Sequence, residues 1–372
     1  MRILLVTTGL KTGGAEHQVV GLARAFLGMG HEVSILSLSP GREIEPPAAA
    51  HVVELDMRKN PASMLWALWH ARNFICAWKP DVMHAHMVHA NLFARTLTRL
   101  TRCPPLICTA HSYREGGRLR MLAYRLTDPW SSLTTHVSAD GRRGMIAAGG
   151  VPAQRIVVVP NGIDVDRFRP DEVLGRATRE RLGIGSDERL LLSVGRLVPE
   201  KSQDTLIRAF AGIDNLASAR LLIAGRGPLR ESLNALIATL GLSSRVTLLG
   251  PRDDIPGLLN AADAFALSSN IEGMPLVLAE ALACGCPVVS TDAPGAAEML
   301  GTHGMIVPRG DVATLTEALR TTLAEGRGSP AQAAERRGHV MESFSIDSVA
   351  RQWLSLYAGL TTAGAVPRTE IA

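Results

Sequence analysis

The sequence is short of aromatic residues, lysine and cysteine, and each shortage narrows what the chain can be. Phe, Trp and Tyr make up 4% of the 372 residues. That is too few for the basic-aromatic interleaving that grips single-stranded nucleic acid, so nucleic acid is not an expected partner. Five cysteines, an odd number in a long chain, supply no disulfide framework. Cys284-Gly-Cys286 has neither the second pair nor the nearby histidine that a zinc site needs. A reduced, cytoplasmic setting is the expectation. No apolar run reaches the length of about 18 residues that marks a transmembrane helix. The N-terminal MRILLVTTGLKTGG has no small-residue cleavage site and reads as a first strand rather than a signal peptide. No repeat of fixed short period is visible. Only four lysines occur, and Lys201 is the only one beyond residue 79.

What is present describes a globular chain with two cores. Hydrophobic residues make up 46% and charged residues 20%, the balance of a soluble protein. The length suits two domains of about 150–200 residues each. Charge is divided unevenly: 18 Lys+Arg against 11 Asp+Glu through Val165, and 21 against 24 after it. Nine of the eleven histidines also lie in the first part. A basic first half implies an anionic partner, either a membrane surface or an anionic acceptor.

Short β-branched runs alternate with helical patterns in both halves. RILLVTT (2–8), EVSILSL (32–38), HVVELD (51–56), DVMHAH (81–86) and PLICTAH (105–111) read as strands, with helices over 19–30 and 61–78 between them. THVSAD (135–140) and RIVVVPNG (155–162) close the half, and 160–172 reads as a polar linker. The alternation restarts with strands at 189–196, 219–227, 245–250, 264–269 and 287–291, and helices at 204–213, 228–241, 254–263 and 275–285. Such alternation predicts parallel β-α-β units, hence two α/β sandwiches. The expected bounds are 1–165 and 166–345, then a last helix over 346–360 and a flexible tail over 361–372.

Ligands of open parallel sheets bind beyond the carboxyl ends of the strands, so the loops after strands carry the candidates. In GLKTGGAEH (9–17), Gly13 and Gly14 open a helix whose N-terminus would suit a phosphate; a plain tight turn is the alternative. The dinucleotide fingerprint G-x-G-x-x-G cannot be laid over this loop, which excludes a dehydrogenase. His84 and His86 alternate on one strand, but no carboxylate supports a metal pair, so a structural role is expected and no metal is assigned. His111, at a strand end beside Thr109 and Ser112, is placed to meet a substrate hydroxyl or carbonyl. Arg196 and Lys201 share one loop as a clamp on a diphosphate would, Arg as a fork and Lys as a point charge; a solvated loop is the alternative. Asp164-Val-Asp166 reads as turn chemistry in the linker.

EGMPLVLAE (272–280) places Glu272 in a loop and Glu280 inside a helix expected to start at Pro275. Were the whole stretch helical, the two carboxylates would lie about 12 Å apart and face roughly 80° differently. That suits one extended ligand held at both ends, not a proton-sharing pair. Leu276, Val277 and Leu278 would pack the helix on its sheet. A carboxylate among them needs hydrogen-bond donors, and ribose hydroxyls are natural ones.

These motifs together resemble the retaining GT-B-fold glycosyltransferases of family four. The resemblance spans nearly the whole chain: GGAEH (13–17), TAHS (109–112), VVPNGID (158–164), SVGRLVPEK (193–201), LIAGRGP (222–228) and the E-x7-E segment opening at Glu272. It implies two Rossmann-like domains facing across a cleft, the first for the acceptor and the second for a nucleotide sugar, with the last helix crossing back to the first domain. It implies that Glu280 binds ribose and that Glu272 binds the transferred sugar with Gly273, Met274 and Pro275. Arg196, Lys201, Gly13 and Gly14 would hold the diphosphate with main-chain groups as far as Leu276 and Val277. The base would lie near Arg252, and His111 beside the reacting centre. Arg226 departs from the pattern, standing where many relatives have an acidic residue.

The activity implied is metal-independent, retaining transfer from a nucleoside-diphosphate sugar, UDP favoured over GDP, to a glycan or lipid-linked acceptor of the cell envelope, polysaccharide or lipopolysaccharide. The tryptophans of 61–78 and the basic amphipathic stretch 114–130 suit peripheral contact with an anionic membrane; core packing with a solvated face is the alternative. A nucleotide-sugar epimerase and a non-catalytic sugar-nucleotide-binding subunit are the competing readings.

Overall fold

The computed structural model describes residues 1–11, 13–112, 116–213 and 218–363. The chain divides into two compact units, Met1–Gly162 with the C-terminal segment from Ile346, and Ile163–Ser345. The expected tail beyond residue 363, and Arg114 and Glu115 of the basic stretch, lie outside the described residues.

Among the described residues the first unit holds a seven-stranded sheet: β1 (Arg2–Thr7), β2 (Glu32–Ser37), β3 (His51–Glu54), β4 (Val82–His86), β5 (Leu106–Ala110), β6 (Leu133–His136) and β7 (Ile156–Val158). Their order is β3-β2-β1-β4-β5-β6-β7 and every pairing is parallel. The second unit holds a six-stranded sheet: β8 (Leu190–Val194), β9 (Arg220–Ala224), β10 (Val246–Gly250), β11 (Ala264–Leu267), β12 (Val288–Thr291) and β13 (Met305–Val307), in the order β10-β9-β8-β11-β12-β13. It too is parallel throughout. The central strands are buried on both faces because helices cover both faces; β4, β5 and β11 are buried at every position. In each sheet the strand order reverses once, between β1 and β4 and between β8 and β11. Those reversals open crevices at the strands' carboxyl ends.

The helix over Pro61–Trp78 lies where the sequence places it, because its ends are marked chemically. Asn60 caps it by accepting from Ser63 N, Pro61 starts it, and Lys79 ends it in the left-handed region. The first helix instead begins at Gly14, five residues before the apolar stripe at Val19 that betrays it. The helix over Leu276–Ala283 begins one residue later than expected: Pro275 is its cap, with ψ 80°, outside the helical range. The helical spacing between Glu272 and Glu280 therefore applies only from Leu276 onward.

Several elements carry little periodic signal. Helix Glu172–Leu182 buries only Gly175 and Thr178. A Cβ at Gly175 would stand 2.6 Å from the Asn260 carbonyl oxygen, so this helix packs by backbone contact rather than by an apolar stripe. The last helix, Ile346–Ala363, belongs to the first unit. It packs on helix Gly14–Gly28, where Phe26 and Tyr357 rings stand 5.7 Å apart, and it buries Trp353 and Tyr357 fully.

Candidate active site

In the second unit, three loops meet at the carboxyl end of the sheet. The loop after β8 carries Arg196 and Lys201, the loop after β11 carries Asn270 to Pro275, and the loop after β9 carries Gly225 to Pro228. Main-chain bonds join them: Asn270 N donates to Glu200 O at 2.8 Å, Gly195 N to Ala224 O at 2.9 Å, and Leu197 N to Arg226 O at 2.9 Å. Gly225 sits at φ +145°, and a Cβ there would lie 1.9 Å from the Gly195 carbonyl oxygen. Only glycine allows the two loops this approach. The loop after β12 supports the third side. Gly295, at φ +79°, lies so close that a Cβ would be 3.2 Å from Gly273 O.

The charged groups are set on this frame. Lys201 Nζ pairs with Glu272 Oε1 at 2.5 Å, with the two side chains 17% and 9% exposed. Arg196 is exposed, its carbonyl accepting from Gln203 Nε2 at 2.8 Å, and its guanidinium makes no ion pair among the described residues. Glu280 is half-buried, and no hydrogen bond or ion pair to its carboxylate is found among the described residues. Burial pushes its pKa up to about 7, against the opposing pull of Arg167. Arg167 escaped the sequence reading because it lies in the linker. Its only signal was a charged residue between two turn-forming segments.

Arg252 is already engaged. Its Nε and Nη2 donate to Asp254 at 2.7 and 2.6 Å, which raises its own pKa and lowers that of Asp254. In the linker, Asp164 Oδ1 accepts from the backbone N of Asp166 and Arg167 at 3.1 and 2.9 Å, the turn chemistry expected there. Met274, Leu276 and Val277 pack against the core of the second unit.

The first unit offers a different kind of site. His84, buried in β4, bonds through Nδ1 to Tyr357 Oη and through Nε2 to Thr109 Oγ1, both at 2.6 Å. His86 Nδ1 lies 3.0 Å from His111 Nε2. His136 takes the Ser112 carbonyl at Nε2 and the Ser138 amide at Nδ1, each at 3.1 Å. Burial, with the charge of His136 second, holds His111 down at about 3. Burial likewise lowers His84, His86 and His136 below the usual imidazole range. All four rings are therefore neutral hydrogen-bonding groups near pH 7. His84 has the structural role expected of it. His86 and His136 were not singled out for function, and the network is visible only once β4, β5 and β6 are aligned.

Gly13 caps the first helix and Gly14 starts it. A Cβ at Gly13 would come within 2.3 Å of Glu16 Oε2. The helix's own carboxylate, its pKa raised by burial, thus stands at the N-terminus considered for a phosphate. Sequence reading passed over Glu16.

Two family models match the chain. Glycosyltransferase Family 4 covers residues 12–167, and Glycosyl transferases group 1 covers residues 176–338. A curated relative from Mycolicibacterium smegmatis, the GDP-mannose-dependent alpha-(1-6)-phosphatidylinositol monomannoside mannosyltransferase, is 30% identical over 67% of this chain and 68% of its own length. The chain belongs to the family 4, group 1 glycosyltransferases. A second relative of this transferase, the D-inositol 3-phosphate glycosyltransferase of Mycobacterium bovis, is 38% identical over 48% of the chain and 38% of its own length. Among solved structures, an Anabaena protein in complex with UDP, HepE, aligns with TM-score 0.82 at 22% identity, covering 96% of this chain and 100% of that one. That likeness bears out the GT-B class of fold, α/β with two parallel sheets. No helix among the described residues of the transferase is long and apolar enough to cross a membrane.

Proposed function

We propose that this glycosyltransferase moves a sugar, with retention, from a nucleoside-diphosphate sugar to a hydroxyl of a lipid-linked or glycan acceptor in the cell envelope. The observation that carries the donor half is the half-buried carboxylate of Glu280, without a hydrogen-bond or ion-pair partner among the described residues, in the same unit as the Lys201–Glu272 pair. Glu280 would accept the ribose hydroxyls, Lys201 and Arg196 would meet the diphosphate, and Glu272 would read the sugar.

The leaving group gains negative charge as the sugar ring gains positive charge. Preorganised cations and the N-terminal amides of helix Leu276–Ala283 would stabilise the former without a metal. His111 would contribute as a neutral hydrogen-bonding group, because burial disfavours its imidazolium form. Gly13 and Gly14 would meet the diphosphate only if the Glu16 carboxylate beside that helix start moved aside. Arg252 would reach a base only by leaving Asp254.

The mycolicibacterial relative, a GDP-mannose-dependent enzyme, supports GDP-mannose as a donor, alongside the UDP-sugar expected from the sequence. It also supports a phospholipid-based acceptor. Surface chemistry agrees: Leu119, Leu122 and Leu126 are exposed at 83, 51 and 64% on a helix that also exposes Arg118 and Arg125. Leu65, Trp66 and Trp69 are exposed on helix Pro61–Trp78. Peripheral contact with an anionic bilayer follows, and flotation with anionic vesicles at low salt should carry the protein upward. No association there removes the membrane part.

The activity is tested by supplying GDP-mannose or UDP-glucose with a phospholipid extract, with and without chelator. Free nucleotide that accumulates only when acceptor is present, and equally with chelator, is expected. Turnover that interconverts the sugar nucleotide without acceptor would instead indicate an epimerase.

A further inference from the structure

Lys201 and Glu272 stand 71 residues apart in sequence and come from the loops after two neighbouring strands, β8 and β11. The main chain fixes both loops. Ser268 Oγ donates to Lys201 O at 3.0 Å, and Asn270 N to Glu200 O at 2.8 Å. The pair is therefore a product of the fold rather than a meeting of two flexible side chains. Its low exposure matters as much. A pair withdrawn from water is screened little, and removing one partner leaves the other as an uncompensated charge.

We propose that this ion pair makes the site discriminate an intact sugar nucleotide from the nucleoside diphosphate left after transfer, because Glu272 competes with the diphosphate for Lys201. The inference rests on the donor-site reading above. A sugar nucleotide brings an anion for Lys201 and hydroxyl donors for Glu272, so both members of the pair exchange one partner for another. A nucleoside diphosphate brings only the anion. It takes Lys201 and leaves the Glu272 carboxylate desolvated, unpaired and next to added negative charge. The same carboxylate that reads the sugar thus disfavours the product, and re-forming the pair favours product departure. Arg309, whose Nη1 donates to Asn270 O at 3.1 Å in the Glu272 loop, is itself paired with Asp292 at 2.9 Å.

The test is calorimetric titration of the full chain with GDP-mannose, GDP, UDP-glucose and UDP, using wild type, Glu272→Gln, Glu272→Ala, Lys201→Gln and the Lys201→Gln/Glu272→Gln double variant. Circular dichroism confirms the fold of each. The expected result has opposite signs. Either Glu272 variant tightens the nucleoside diphosphate by about tenfold and weakens the sugar nucleotide by about tenfold or more. The tightening shrinks to little or nothing when Lys201 is already Gln. Glu272 variants that weaken both ligands alike, leave the diphosphate unchanged, or tighten it as strongly without Lys201 overturn the inference while leaving the donor site intact. A wild-type protein that binds none of the four ligands removes the donor-site reading, and this inference with it.

Discussion

The two units share one topology and use the carboxyl ends of their sheets in opposite ways. In the second unit that end is charged and, among the described residues, incompletely paired: an exposed guanidinium, a carboxylate without a hydrogen-bond or ion-pair partner, and an ion pair between two loops. In the first unit it is a set of buried, neutral imidazoles bonded to hydroxyls, carbonyls and one another. The contrast teaches that a doubly wound sheet supplies the crevice but not its chemistry, which comes from a few residues at the strand ends. A charged end suits an anionic donor, whereas a neutral end, where His86 Nε2 has no hydrogen-bond partner among the described residues, suits positioning of hydroxyls.

The comparison breaks most readily at Glu280. Glu280→Ala should lower kcat/KM for the donor by about 10²–10³-fold, the loss expected for a charged hydrogen-bonding partner. It should not lower thermal stability, and above pH 7 it should raise it, because burial disfavours the ionised carboxylate there. Unchanged turnover would place the donor elsewhere.

Next in size is Gly225→Ala. The added Cβ would overlap Gly195 O, separating the loops after β8 and β9 at a cost of about 2–4 kcal/mol. Urea denaturation should show the loss, and donor affinity should fall with it.

The pH dependence should differ in sign between the units. In the first, four histidines have lowered pKa values, so the unfolded chain binds protons that the folded unit refuses. Stability should hold above the ordinary histidine value of 6.5 and fall as pH drops through and below it, by up to about 1.4 kcal/mol per pH unit for each proton taken up. All five tryptophans lie in that unit, so tryptophan fluorescence during urea denaturation reads it selectively. In the second unit Glu280 is raised from 4.5 to about 7. Its contribution is fully present below 4.5 and is lost as pH rises through 7, and Glu280→Gln should remove that slope.

The smallest effect is expected from Tyr357→Phe, which deprives buried His84 of its 2.6 Å partner. A loss of about 1–3 kcal/mol, seen by the same fluorescence, would show that the last helix stabilises the first unit. No change would mean that His84 finds another partner.

Much of the fold was legible because parallel strands buried on both faces write themselves as apolar runs, RILLVT and LLLSV among them. Helices that pack by small residues do not. Glu172–Leu182 shows the limit, and so does β13, whose Met305 and Ile306 are 44 and 39% exposed. The candidate site was legible as a set of residue types at loop positions, since Glu272, Glu280, Arg196 and Lys201 each stand out locally. Their pairing was not. That Lys201 meets Glu272 and that His86 meets His111 depends on which strands neighbour one another. Strand order is a property of the whole sheet, not of any segment.

Hydrogen exchange of the full chain, with and without saturating GDP-mannose or UDP-glucose, tests the central claim most directly. The account predicts slowed exchange in residues 195–201, 225–228 and 272–280 of the second unit with at least one of the two ligands. Binding that leaves those segments unchanged, with protection confined to the strand ends of the first unit, would contradict it.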